Sequence, residues 1–224
     1  MNVPALGRRA FSLFLSHPLQ FLSIAFVVVP LQAATLAADD DLWWWLSFPV
    51  SKFVSELVMG ALTVAAATAA SGGTPSFAGS YGVVLRRFRS ILGVTVRYFG
   101  VVILLAMTVV GIPFAISRLI RWFFGIQGVV LRDLQAPEAL ALSSRVVMGL
   151  WWQIFGTIML VASLVSVFWW APLLLSWPFE VRMVIWSVVG VTVWPLVVSF
   201  YALLFLQLCE RSENTAAAPP VREP

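Results

Sequence analysis

The stretch that decides the fold runs from Ile91 to Leu131 and reads ILGVTVRYFGVVILLAMTVVGIPFAISRLIRWFFGIQGVVL. A single helix of this length would be about twice as long as the bilayer is thick, because a helix rises ~1.5 Å per residue and the hydrocarbon core measures ~30 Å. Gly111 and Pro113 form the one pair of helix breakers near its middle. The stretch therefore predicts two membrane spans, at about 91–110 and 113–131, joined by a tight turn.

The composition places the whole chain in the same class. Of its 224 residues, 61% are hydrophobic and 11% are charged, whereas roughly 25% of residues are charged in soluble domains. Four further apolar stretches are long enough to cross a bilayer, at about 19–38, 49–70, 151–176 and 184–208. The sequence therefore predicts an all-α, polytopic membrane bundle of six transmembrane helices, built as a single membrane domain over residues 1–210.

The two ends of the chain need separate interpretations. Arg8 and Arg9 followed by an apolar run, with Leu36-Ala37-Ala38 as a cleavage site, would also suit a signal peptide. The run is longer than a typical signal core of roughly 7–15 residues, and Pro30 interrupts it, so we expect a retained first helix. The segment 211–224 is rich in alanine and proline and is predicted to be a disordered cytoplasmic tail.

Two shorter segments, 76–90 and 137–149, have the spacing of amphipathic helices that lie on a membrane surface. The first places apolar residues on one helical face and carries three arginines near its end, namely Arg86, Arg87 and Arg89. Anionic lipids attract arginines at this level, so these three are candidate lipid-headgroup contacts. The alternative is a linker whose charges only fix the topology.

The distribution of arginine predicts the orientation. With both termini inside, ten arginines lie on the inner side, whereas Arg182 alone lies outside, together with Glu180 and Asp39-Asp40-Asp41. The inner set is Arg8, Arg9, Arg86, Arg87, Arg89, Arg97, Arg132, Arg145, Arg211 and Arg222. By the positive-inside rule, both termini of a plasma (inner) membrane protein with this distribution would face the cytoplasm. The rule also explains the basic charge balance, so we expect no nucleic-acid partner.

An internal repeat is also suggested. A shift of 62 positions places Pro75 on Pro137 and Glu56 on Arg118, and both halves then follow the plan span, proline turn, surface helix, span. Both halves enter and leave from the outside, so a duplication would be a parallel repeat about an axis along the membrane normal. Identity beyond the proline is low, and a chance match is the alternative.

Charged residues inside the predicted spans are the candidate site. An ionised group at the bilayer centre costs at least ~2.5–3.5 kcal/mol, so such groups pair or face a cavity. Glu56 and Arg118 lie at similar depths, and we expect Glu56 to form a buried ion pair with Arg118 or Arg121. In the alternative, Lys52 pairs with Glu56 four residues on, and the arginines extend outward.

Catalytic and metal chemistry have little support. The single His17 and the single Cys209 exclude a disulfide within the chain and a structural zinc site with four Cys or His ligands. No glycine-rich phosphate loop or paired carboxylates occur, and the serines have no neighbouring base. We therefore expect no enzyme, no catalytic residue, no cofactor and no metal.

Residues 127–156 carry a more specific pattern: QGVVLRDL, then APEAL, then SSRVVMGLWWQIFG. The segment resembles a bacterial family of six-helix membrane proteins that includes the membrane domain attached to some glycerophosphodiester phosphodiesterases. Members show an alanine-rich surface helix, a Ser-Arg pair, a glycine, tryptophans and a Phe-Gly that opens the next span. Ser16-His17-Pro18 before the first span is also similar. Where members often carry a glutamate, this chain has Arg132-Asp133, so no role is carried over for that acid.

The resemblance implies an accessory or organising module rather than a hydrolase, because the ~250 residues of a catalytic barrel have no place here. The leading hypothesis is a non-enzymatic integral membrane module that binds lipid, especially anionic lipid, or a partner membrane protein. The alternative is a small transporter or permease that uses a buried cluster of Glu56, Arg118 and Arg121.

Overall fold

The computed structural model describes residues 3–30, 41–174 and 177–217, and these residues are almost entirely helical. The helices are α1 (Val3–Ser16), α2 (Pro18–Phe26), α3 (Asp41–Ala70), α4 (Phe77–Arg86), α5 (Phe88–Ala106), α6 (Gly111–Arg121), α7 (Gly125–Arg132), α8 (Ala136–Val147), α9 (Trp151–Leu174) and α10 (Phe179–Ala217). No strand occurs in these three ranges, which confirms the all-α prediction.

Five helical stretches are long and apolar enough to cross a membrane. They are Pro49–Ala70, Phe88–Ala106, Gly111–Arg132, Trp151–Phe168 and Val184–Asn214. A bent pair, Val3–Ser16 with Pro18–Pro30, makes the sixth candidate. Six spans, as predicted, therefore fit the lengths and composition of the helices, although residues 31–38 of the predicted first span lie outside the described ranges.

The bend between α1 and α2 measures 89° and follows from one proline. Pro18 lacks a backbone N–H and excludes the helical conformation from the residue before it, and His17 indeed has φ −139° and ψ 50°. The chain therefore stops one helix at Ser16 and starts another at Pro18 in a new direction.

Helix α1 was not predicted from the sequence, which suggested only a short basic N-terminus. Leu6 and Ala10, one turn apart, are buried in the same apolar cluster as Leu208 and Cys209 of α10, on which α1 packs. Arg8 and Arg9 remain exposed on the opposite side. The i, i+4 spacing of Leu6 and Ala10 was the signal that could have revealed this helix.

Helices α3 and α10 form the centre of the bundle and pack against each other. Many of the buried positions on α3 are small: Ala61, Ala65 and Ala66 are fully buried, and a side chain added at Gly60 would meet Val84 of α4 at 3.2 Å. The hydrophobic effect does not drive helices together within lipid, so their association depends on close packing. Small residues allow the helix backbones to approach closely. The sequence of α3 therefore sets the close packing of this bundle.

Helix α10 continues further than predicted. We expected the last span to end near Leu208 and residues 211–224 to be disordered, but the helix runs to Ala217, so that prediction is wrong for residues 211–217. The extension is held to the bundle by an ion pair of 2.8 Å between Glu213 and Arg132 of α7. Residues 218–224 lie outside the described ranges.

The fourth predicted span, 113–131, is a broken helix rather than a continuous one, because α6 ends at Arg121 and α7 begins at Gly125. A side chain from α8 occupies the break: the Ser143 hydroxyl donates to the Arg121 carbonyl at 2.7 Å and accepts from the Phe124 N–H at 3.1 Å. Insertion of a side chain into the helical hydrogen-bond ladder is a recognised cause of a break. Ser143 therefore takes over bonds that a continuous helix would have made internally.

Replacing Ser143 with alanine is expected to lower the free energy of unfolding by about 1–3 kcal/mol, because two buried backbone groups lose their partner. Reversible unfolding in mixed micelles measures this change. Ser144→Ala is the matched control, since the Ser144 hydroxyl bonds only to the Leu140 carbonyl of its own helix, at 2.9 Å. Equal stability of the two variants would show that Ser143 does not hold the break.

The predicted surface helices are shorter than expected but amphipathic. The segment 76–90 contains α4, which ends at Arg86, and the next span already begins at Phe88. Within α4, the Tyr81 hydroxyl donates to the Ile24 carbonyl of α2 at 2.9 Å. Burial raises the pKa of Tyr81 to about 12, so the hydroxyl keeps the proton that it donates.

The segment 137–149 contains α8, which runs from Ala136 to Val147 and buries residues at helical spacing, such as Ala139 and Ser143. Pro75 lies just before the start of α4 and Pro137 is the second residue of α8, so both prolines lie at a helix start, as the 62-residue repeat requires. The duplication itself stays a prediction.

Candidate functional site

The charged site within the bundle is an ion pair on α3. Lys52 and Glu56 are four residues apart, so one helical turn brings them together, and their Nζ and Oε1 atoms are 2.9 Å apart. Glu56 is 8% exposed, which makes it the one buried charged residue in the described part of the chain. The α3 backbone therefore supplies both members of the pair, without any contribution from another helix.

Two aromatic residues of α5 surround this pair. The Lys52 ammonium lies 5.2 Å from the centroid of the Phe99 ring, close enough for a cation–π interaction. Tyr98 is close enough to Glu56 to experience its charge. The ammonium group is thus held between a carboxylate and an aromatic face.

A cavity of about 230 Å³ lies next to the pair, between α2, α3 and α10. Its polar lining consists of Lys52 and Ser55, and the remaining lining residues are apolar, including Val28 and Trp194. The Ser55 hydroxyl is already bonded to the Ser51 carbonyl of its own helix at 2.8 Å. Lys52 is therefore the main polar group that the cavity offers to a ligand.

The structure does not bring Glu56 to Arg118 or Arg121. Both arginines are exposed on α6, and neither forms an ion pair with a carboxylate among the described residues. The Arg118 guanidinium instead lies 5.0 Å from the Trp122 ring. Helix α6 turns Ala115 and Ile120 toward the bundle, which directs the arginines away from it. The structure thus has the alternative arrangement, in which Lys52 pairs with Glu56 and the arginines extend outward.

The arginine-rich segments come together at one end of the bundle, which we call the basic end. Arg132 bonds to Glu213, and Arg87 pairs with Asp133. Ser90 donates to the Gln135 side chain at 3.0 Å and thereby joins the start of α5 to the start of α8. Arginines that are distant in sequence therefore share one end of the molecule, as the predicted topology requires.

The three predicted headgroup contacts differ in their surroundings. Arg87 is engaged by Asp133, whereas Arg86 and Arg89 are exposed and have no carboxylate partner in the described ranges. Three large apolar side chains of the same segment are also exposed: Leu85 by 60%, Phe77 by 46% and Phe88 by 39%. We call Phe77, Leu85, Arg86, Phe88 and Arg89 the α4 patch.

Among the buried polar residues that the sequence analysis missed is Gln127 of α7. Its side chain is 1% exposed, and no hydrogen-bond partner for its Oε1 atom is found in the described part of the chain. Elsewhere, no group of three or more His, Cys, Asp or Glu side chains comes together within the described ranges as metal ligands would. Cys209 is buried, and its thiol lies near Arg132.

Comparison with protein-family models, curated proteins and solved structures finds no match to this chain. The fold and the placement of its side chains therefore carry the functional argument.

Proposed function

We propose that this protein is a non-enzymatic integral membrane module whose basic end binds anionic lipid headgroups. The observation that carries the proposal is the α4 patch, where two exposed arginines and three exposed large apolar side chains occur within residues 77–89. A helix at the membrane surface buries its apolar residues at the acyl boundary and keeps its basic residues among the headgroups. The α4 patch has the two kinds of surface that this position requires.

The direction of the bundle in the membrane is part of the proposal. The basic end would face the cytoplasm of a bacterial cell, because arginine-rich segments are retained on that side. The cytoplasmic leaflet carries anionic lipids, so the same arginines that fix the topology would meet their ligand there. An accessory or organising role, as the resemblance implies, would follow from gathering such lipids around the module or around a partner membrane protein.

Replacing Arg86 and Arg89 together with glutamine is expected to reduce the enrichment of anionic lipid about tenfold or more, since each arginine near an anionic surface contributes about 1 kcal/mol. The enrichment of phosphatidylglycerol over phosphatidylcholine in lipid that copurifies with the full chain measures the effect. The double variant Arg118→Gln with Arg121→Gln is the matched control, because these arginines are equally exposed but lie on α6. Unchanged enrichment in the Arg86/Arg89 variant would contradict the proposal.

A small transporter is the second candidate, and the cavity beside Lys52 is the observation that favours it. Ionisable residues within membrane spans commonly mark pathways for substrates or ions. A transporter would need the charges of Lys52 and Glu56 themselves, whereas a structural ion pair can be replaced by apolar residues of similar size. Replacing both residues at once therefore separates the two functions.

A further inference from the structure

A second cavity lies at the basic end, between the end of α8, the turn that follows it and the extension of α10. Its volume is about 390 Å³. Two arginines line it, Arg145 from α8 and Arg211 from α10, together with Ser212. Apolar residues, among them Val146 and Leu208, also line it. The cavity therefore combines cationic and apolar lining residues.

The turn beside the cavity has a defined geometry. The Leu150 N–H donates to the Val147 carbonyl at 3.0 Å, and Met148 has φ −59° and ψ 131°. Gly149 follows with φ 81°, in the left-handed region that favours glycine. These angles are those of a type II turn. The turn fixes the position of Leu150, a lining residue, directly before the first residue of α9.

The balance of charge in this cavity is positive. No carboxylate is among its lining residues in the described part of the chain, and Arg145 forms no ion pair there. Two carboxylates of the same end pair with other arginines, Asp133 with Arg87 and Glu213 with Arg132. The nearby N-terminus of α9 adds backbone N–H groups and the positive end of a helix dipole.

We propose that this cavity binds one phosphate group, with Arg145 and Arg211 as its charged ligands and Ser212 as a hydroxyl donor. Arginine suits this role because its planar guanidinium can donate two parallel hydrogen bonds to a phosphate. The apolar lining residues suit a phosphate that belongs to a phospholipid headgroup at the membrane interface, while a free phosphate would use the arginines alone. The site shares no residue with the α4 patch, so it does not depend on lipid binding there.

The test uses the purified full chain and two probes, dioctanoyl phosphatidic acid and inorganic phosphate, in separate calorimetric titrations. We expect phosphatidic acid to bind with a stoichiometry of one. Arg145→Gln and Arg211→Gln should each weaken that binding about 10- to 100-fold, because each removes charge-assisted hydrogen bonds. Arg118→Gln, which removes an exposed arginine elsewhere, should bind as the natural sequence does.

The outcomes separate the sources of the ligand. The site would be assigned to a free phosphate if inorganic phosphate binds with the same dependence on Arg145 and if phosphatidic acid, with its acyl chains, binds no more tightly. Two outcomes would overturn the proposal: neither probe binds, or binding is unchanged in both arginine variants. Either of these two outcomes, together with a loss of lipid enrichment in the Arg86/Arg89 variant, would leave the α4 patch supported and this cavity rejected.

Discussion

Replacing Gly128 with leucine is expected to lower the free energy of unfolding by about 3 kcal/mol, the upper part of the range for overpacked sites. A Cβ atom at this position would lie 3.2 Å from the Ala139 Cβ and 3.3 Å from the Ala139 Cα. The obstacle is thus partly backbone, so α8 would have to move away from α7 as a unit. Unfolding of the purified chain in mixed micelles measures the loss.

Gly125 and Gly100 provide the controls for this prediction. A Cβ at Gly125 would lie 2.9 Å from the ends of the Leu140 and Val94 side chains, which can rotate, so Gly125→Ala should cost less. Gly100→Leu should cost little, because no atom lies within 4 Å of a Cβ built there. If Gly128→Leu were as stable as Gly100→Leu, the close packing of α7 on α8 would not contribute to stability.

The spans were predictable because their signal is local. A helix that crosses a bilayer must be apolar over about 20 residues, and breakers such as Gly111 and Pro113 mark its ends. The amphipathic character of α8 was equally visible, since the buried residues within 136–147 recur every three to four positions, as on one face of a helix. In each case the physical cause lies within the segment itself.

The features that the sequence analysis missed depend on contacts between distant segments. The break at residues 122–124 contains no helix breaker, and it is explained by Ser143, about twenty positions further along the chain. The extension of α10 past Leu208 likewise includes a contact with a distant residue, the ion pair between Glu213 and Arg132. Both residues are ordinary in their own segments, so no local pattern distinguishes them.

The candidate site shows how a local interaction replaces a distant one. An i, i+4 pair on one helix needs no particular arrangement of the bundle, whereas a Glu56–Arg118 contact would need α3 and α6 to face each other at one depth. Arg118 also has a local partner, the Trp122 ring, four residues on. Both charges are therefore accounted for within their own helical turn, and the sequence spacing favours this arrangement once the local partners are considered.

Replacing Glu56 with methionine is expected to lower the free energy of unfolding by about 2–3 kcal/mol, because Lys52 keeps its charge in an apolar setting without its carboxylate. Lys52→Met should cost at least as much, since the Glu56 side chain is 10% exposed and that of Lys52 is 42% exposed. The double variant Lys52→Met with Glu56→Met should be close to the natural sequence, because an apolar pair of similar volume needs no compensation.

A double-mutant cycle in mixed micelles measures the coupling between Lys52 and Glu56, with Arg118→Met as a control outside the pair. Additive losses in the double variant would contradict a direct interaction between the two charges.

The same double variant, reconstituted in proteoliposomes, decides between the two proposed functions. A stable variant that still enriches anionic lipid identifies the ion pair as structural. A solute or proton flux that is present in the natural sequence and lost in this variant would favour a transporter, because only transport requires the charges themselves.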